Sequence, residues 1–230
     1  MKRSLILLTL FAILFQNCAR VYYAADNISK TAEADSLAQN HHLIAIAPPT
    51  VSIETSEEID IRALLFQQET LSRDFQKETY SWLLKRKKQG RITAKIQDID
   101  TSNARLRRAG YNDGTPLSPD GICQILGVDG VITSNYLLDK PMSVGHVLES
   151  GLLGVAAEET LSPGLQGAGI RPLIHGSWPT LSVSISINDL KTKKMIWNAD
   201  NTLSVGIFSP EHIVNGLLCD KSRKMPYIIK

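Results

Sequence analysis

Three cysteines and five histidines are the side chains of this 230-residue chain best suited to nucleophilic or metal chemistry, so their spacing comes first. Cys18, Cys123 and Cys219 are too few for a disulfide scaffold, and an odd count leaves one thiol for another purpose. His41 and His42 are adjacent, and neighbouring side chains diverge on any regular element, which makes them a poor metal pair. His146, His175 and His212 stand alone. Asp98, Asp100 and Ser102 imitate the first ligands of a calcium loop. Asn103 then occupies the place of the turn glycine and Ala109 that of the bidentate glutamate. The glycines of Gly164-Leu165-Gln166-Gly167-Ala168-Gly169 lack the G-x-G-x-x-G spacing and a following lysine, so they do not form a phosphate loop. There is no H-E-x-x-H, G-x-S-x-G or C-x-x-C. Nothing here assembles the set of groups a mechanism needs, so a non-enzymatic protein with no cofactor, no metal and no catalytic residue is expected.

Cys18 differs from the other two thiols by its context. Lys2 and Arg3 precede an apolar run from Leu5 to Phe15, broken only by Thr9. A membrane span needs about 20 apolar residues, so the run has the length of an export signal rather than of a transmembrane helix. It ends at Phe15-Gln16-Asn17-Cys18, which resembles the end of a bacterial lipoprotein signal, with Gln16 and Asn17 standing where small residues are usual. The resemblance implies cleavage after residue 17, acylation of Cys18, and anchorage by lipid, most naturally at the periplasmic face of the outer membrane. Residues 18–42, polar and without a clear period, are expected to form a flexible tether, and the folded part is expected over 43–222 with a short tail at 223–230.

The elements that would carry any site follow from local patterns. Leu43 to Ala47 is a short apolar run stopped by Pro48-Pro49, a buried strand. Leu64, Leu71, Phe75 and Trp82 recur at spacings of seven, four and seven and place a helix over Ile61–Lys88. Lys85 to Lys88 complement the negative end of its dipole before Gly90; a phosphate or lipid patch is the alternative reading of that cluster. Arg91 to Ile99 reads as a second strand, and Thr101-Ser102-Asn103 as the cap of a short helix ending near Ala109. Ser118-Pro119-Asp120 starts another helix, which Gly127 stops before a strand from Gly130. Leu181, Val183, Ile185 and Ile187 alternate with Ser182, Ser184, Ser186 and Asn188, giving a strand with one buried and one solvated face. Met195 to Val205 returns as its hairpin partner, and Ser209-Pro210-Glu211 opens a last helix. The sum is one α/β (α+β) domain, a mixed sheet of four to five strands flanked by helices.

Asn103 to Gly110, followed by Ile122-Cys123-Gln124-Ile125-Leu126-Gly127-Val128-Asp129-Gly130-Val131-Ile132, resembles a stretch found in small periplasmic α/β domains. These occur in CsgG-like lipoproteins, in LpoB-type activators of cell-wall synthases, and in the TolB N-terminal domain with its anticodon-binding-like fold. There a helix ending in Leu-Gly-(small)-Asp leads directly into a strand. The likeness extends over about Leu43 to Leu218 and implies a fold more than a function, since such domains serve different envelope tasks. Gly127 is expected to take the left-handed conformation, and Asp129 to bind backbone amides at the start of the strand.

About forty residues, 141–179, interrupt the domain. Val144, Val147, Leu148, Leu152 and Val155 fall at helical spacing within them and are the candidate partner contacts. The segment could cover the sheet, or contact a partner protein, a second copy or the membrane surface. It is too short to span a membrane, because its uncharged run from Gly151 to Ala157 has only seven residues, with Glu149 before it and Glu158-Glu159 after. It also lacks the paired alternating segments of a barrel hairpin. Cys123 and Cys219 could pair in an oxidising envelope, but separate buried thiols are expected.

Composition narrows the function classes. A 43% hydrophobic and 21% charged chain is globular rather than disordered. The formal charge of +2 offers no pull toward nucleic acid, and loss of Lys2 and Arg3 with the signal leaves 23 bases against 23 acids. The expectation is an envelope lipoprotein that docks a partner protein, or alternatively one that self-associates as the accessory of a secretion or transport system.

Overall fold

A computed structural model describes residues 27–55, 60–111, 117–140, 179–205 and 210–229. Seven strands form one mixed sheet: β1 (Asn27–Lys30), β2 (Leu43–Ile46), β3 (Thr50–Thr55), β4 (Lys95–Ile96), β5 (Gly130–Lys140), β6 (Thr180–Asp189) and β7 (Lys194–Ser204). Five helices accompany them: α1 (Ala34–Gln39), α2 (Ile61–Lys88), α3 (Ile99–Arg108), α4 (Pro119–Leu126) and α5 (Pro210–Lys221). The strand order is β1-β7-β6-β5-β2-β4, with β3 also on β5. β2, β3 and β4 join in parallel, whereas β1, β5, β6 and β7 are linked antiparallel. This is the α/β architecture expected, with more strands than the four to five anticipated.

Two of the additional strands have clear causes. Pro48 and Pro49 cannot donate ladder hydrogen bonds. β2 therefore stops after pairing with residues 130–132 of β5, and the chain re-forms beside residues 135–140 of the same strand as β3. The prolines mark a break between two strands rather than a loop. β1 has only four residues and no apolar period, yet it pairs with β7 from Asn27–Asp200 to Lys30–Trp197. The flexible tether expected over 18–42 is therefore corrected from residue 27 onward: β1 and α1 belong to the domain, and Ala34 and Ala38 of α1 are core residues. The tail expected at 223–230 is corrected likewise. Met225 and Tyr227 are buried, and the Ile229 amide donates to the Arg91 carbonyl.

α2 occupies the span read from its periodicity, with Asp60 accepting from the Arg62 amide at its start and Gly90 at φ 72° past its end. Leu71, Phe75 and Leu83 pack on the sheet, while Leu64 and Trp82 lie partly buried beside them. The strand expected over 91–99 shrinks to Lys95–Ile96. Ile92 and Ala94 are buried, but only this short stretch finds a partner in β2. α3 is capped by Asp98, not by the Thr101-Ser102-Asn103 group, and starts three residues earlier than that group suggests. The β6–β7 hairpin turns through Lys193, whose φ is 55°.

The two faces of the sheet are covered unequally. α1, α2 and α5 bury one face against Ile44, Ile132, Leu138 and the apolar row of β6. α3 and α4 cover the other face only over Ala45, Ala47 and Val131, through Leu106, Ile122, Cys123 and Leu126. The remainder of that second face has no helix on it among the described residues.

Candidate functional site

The Leu-Gly-Val-Asp-Gly stretch is a structural junction. Gly127, at φ 67° and ψ 44°, ends α4 in the left-handed conformation that residues with a Cβ resist. Asp129 then binds backbone amides as expected, though those of β2 and not of its own strand. Its Oδ2 accepts from His42 N (2.7 Å) and Leu43 N (2.9 Å). Gly130 has no room for a side chain, since a Cβ there would lie 2.6 Å from the His41 ring and 2.8 Å from the Tyr227 hydroxyl.

Those neighbours form a polar cluster that sequence reasoning missed. His41 Nε2–H donates to Asp189 Oδ1 (2.7 Å), as an ionised carboxylate requires, and Nδ1 shares a hydrogen bond with the Tyr227 hydroxyl (3.0 Å). Asp189 Oδ2 accepts from the Thr192 amide (2.5 Å) and hydroxyl (2.6 Å). Burial pushes the Asp189 carboxyl up, but the Thr192 and His41 hydrogen bonds outweigh it and hold the group below the usual carboxylate range. Burial raises the Tyr227 hydroxyl well above its ordinary value, so it stays protonated. His41, Asp189 and Tyr227 are 5%, 3% and 2% exposed, which leaves a substrate no approach. A His–Asp–Tyr set of this kind has the types of a proton relay but is placed as a clamp. It ties the chain just before β2 to the β6–β7 turn and to the C-terminal segment.

The two described cysteines are free and stand on opposite faces of the sheet, Cys123 in the layer of α3 and α4 and Cys219 on α5. The sheet between them prevents pairing. Burial, with Asp189, Asp120 and Asp129 nearby, pushes the Cys123 thiol up to about 12, so it is no nucleophile. Asp98 accepts from the Thr101 amide (2.9 Å) and hydroxyl (3.1 Å) as a helix cap. No group of three metal-ligating side chains occurs among the described residues. No described helix is long and apolar enough to cross a membrane.

The uncovered part of the second face is the candidate site. Because alternate residues of a strand point to one face, β5, β6 and β7 present Thr133, Asn135, Ser182, Ser184, Asn198 and Thr202 there. The side chains bond to one another: Ser184 and Ser186 donate to Asn198 Oδ1 (3.2 and 2.8 Å), and Asn198 Nδ2 donates to Asp200 Oδ2 (2.5 Å). Two adjoining depressions share Thr50 and Asn135. One, of about 400 Å³, lies under Tyr111, Leu117 and Pro119. The other, of about 420 Å³, runs over Ser52, Leu137, Ser184 and Thr202. By strand parity Glu54, Asp139 and Asp200 share this face and no lysine or arginine of the described strands does, so its strand residues make a hydrogen-bonding, mildly acidic surface.

Cys18 and the candidate contacts Val144, Val147, Leu148, Leu152 and Val155 lie outside the described residues, as do His146 and His175. The register of β5 on β6 nevertheless fixes where 141–179 attaches, at the end of the sheet where Asp139 faces Thr180. The serine row of β6 was the one sequence signal for the open face.

No protein-family model and no curated protein matches the sequence. Solved structures with a similar arrangement include a PelC dodecamer from Paraburkholderia phytofirmans, at 11% identity and a TM-score of 0.38, over 90% of this chain and 100% of that one. Lipoprotein GNA1162 from Neisseria meningitidis is similar at 11% identity and a TM-score of 0.37, over 80% and 95% of the two chains. The LpoB C-terminal domain from Salmonella enterica is similar at 8% identity and a TM-score of 0.30, over 74% and 95%. At such identities and scores they assign no activity to this chain.

Proposed function

We propose that the chain is a non-enzymatic lipoprotein of the bacterial cell envelope, anchored through acylated Cys18, whose α/β domain docks a partner protein. The observation that carries this reading is the polar sheet face uncovered among the described residues, in a fold whose first described strand starts nine residues after the candidate lipidation site. A hydrogen-bonding surface whose described strand residues include acids and no bases suits a protein partner better than nucleic acid or a lone phosphate. Val144, Val147, Leu148, Leu152 and Val155 are proposed as apolar contacts at the margin of that face, because their segment leaves and rejoins the sheet between β5 and β6. The periplasmic face of the outer membrane is the proposed location.

The test uses the full chain in cells. Cys18→Ala is expected to abolish labelling by a fatty-acid probe, and unchanged labelling would end the anchor reading. With the anchor intact, Ser184→Arg on the open face is expected to reduce a specific crosslinked product about tenfold, roughly 1.4 kcal/mol, at unchanged melting temperature. Undiminished crosslinking would exclude this face as the contact.

Self-association is a second reading, favoured by the edges of the sheet. β1 at one side and β3 at the other pair with no further strand among the described residues, and such edges can join copies head to tail. Mass photometry separates the two, since a stable high-order species supports self-association and a monomer opposes it.

A further inference from the structure

The start of α2 carries three large apolar side chains that remain exposed among the described residues. Ile61 is 70% exposed, Leu65 58% and Phe66 68%. Ile61 and Leu65 lie one helical turn apart on one side of α2, and Phe66 about 100° further round, so the three project from different sides of its first two turns. The other large exposed hydrophobics, Leu84, Leu137, Met195 and Ile229, are dispersed, so this cluster needs a covering agent where they do not.

Its place in the fold indicates the agent. β3 ends at Thr55 beside Lys140, and β6 starts at Thr180 opposite Ser204, so these four residues mark one end of the sheet. α2 runs back from that end: Ser72 Oγ donates to the Pro49 carbonyl (2.5 Å) and Gln76 Nε2 to the Ile46 carbonyl (2.9 Å). Eleven residues before Ser72, about 16 Å along the helix, Ile61 reaches the level of Thr55. β1 is antiparallel to β7, with Asn27 opposite Asp200, so the chain preceding Asn27 departs toward Ser204, the same end. Nine residues from Cys18 to Asn27 span about 30 Å at most, and about 13 Å of that is needed to reach the level of Ser204. A chain continuing in that direction would bring an acyl group on Cys18 to no more than about 20 Å beyond this end.

We infer that this end of the sheet faces the membrane and that Ile61, Leu65 and Phe66 insert into its interface. The inference rests on the anchor reading of Cys18. The occupant is lipid because the anchor already holds a bilayer there, so contact costs no further association entropy. Interfacial helices bury such side chains about 5–10 Å into the headgroup–acyl boundary. With that end against the lipid, the His41 clamp lies at the far end and the polar face stands upright, open to a partner beside the protein.

The experiment uses the full-length protein in vesicles of phosphatidylethanolamine and phosphatidylglycerol, after intact mass has established acylation. A nitrobenzoxadiazole probe is placed at Leu65→Cys, or at Lys88→Cys near the other end of the same helix, each with Cys219→Ser. At position 65 a blue shift is expected, with roughly half the emission lost to lipids brominated near the headgroup, a depth that matches interfacial insertion. Position 88 should show neither. Equal quenching at both positions, or none at position 65, overturns the orientation. A position 65 shielded from iodide yet unquenched by brominated lipid means that protein covers the patch, a second copy or residues 141–179, and also overturns it. A protein that lacks the acyl group fails at the anchor reading instead, which the mass identifies, and the orientation falls with it.

Discussion

At the scale of single residues, Asp189 shows how burial and hydrogen bonding compete. Its two oxygens accept three hydrogen bonds, from His41, the Thr192 amide and the Thr192 hydroxyl. An asparagine loses the charge that strengthens all three bonds and can face His41 only with its amide NH2, which forces the imidazole proton to Nδ1, so Asp189→Asn is expected to lower stability at neutral pH by about 2 kcal/mol. The carboxyl is held below its ordinary value in the folded state. The stability it contributes is thus fully present above about pH 4, the unfolded value, and declines as pH falls through the lower folded value. Urea titrations across that range should give a flatter pH dependence for the variant, and parallel curves would contradict the assignment. The histidine of this clamp could not be foreseen from its neighbours. His41 and His42 look like a pair in sequence, but only His41 is buried, and its partners lie 148 and 186 residues away.

At the scale of elements, the α4–β5 junction uses two glycines for different reasons. Gly127 needs backbone freedom, since it sits at φ 67° with only the Arg105 guanidinium near a hypothetical Cβ, at 3.8 Å. Gly130 needs space. Gly127→Ala should therefore cost about 1–2 kcal/mol, and Gly127→Asn less, because asparagine tolerates the left-handed region. Gly130→Ala should cost about 3 kcal/mol through overpacking, and part of that loss should vanish in a His41→Ala background. Thermal melts of the singles and the double mutant give the coupling, and strict additivity would refute a clash with the ring. The glycine stop of α4 and the Ser118 cap with Pro119 were legible in sequence because caps depend on residues a turn apart. The steric role of Gly130 was not legible, since the group it avoids approaches from elsewhere in the chain.

At the scale of the whole molecule, the boundaries of the domain are the main correction. A fragment of residues 43–222, the limits suggested by pattern, lacks β1, α1, His41 and Tyr227. It leaves Asp189 buried without His41 and exposes the edge of β7. We expect it to aggregate or to show no cooperative melt, whereas residues 27–230 should unfold in one transition, with calorimetry as the check. The helical seam of α2, the caps, and the alternation of β6 were determined by the sequence itself, because each depends on contacts a few residues apart. The tertiary structure alone decided that 27–42 and 223–229 are domain, that part of one sheet face is uncovered among the described residues, and that the chain enters β1 from the end of the sheet where Ile61 lies. Short polar segments such as β1 have no period of their own. They become structure only when a distant strand supplies hydrogen-bond partners or a sheet supplies an apolar face, and that information is spread along the chain rather than held within it locally.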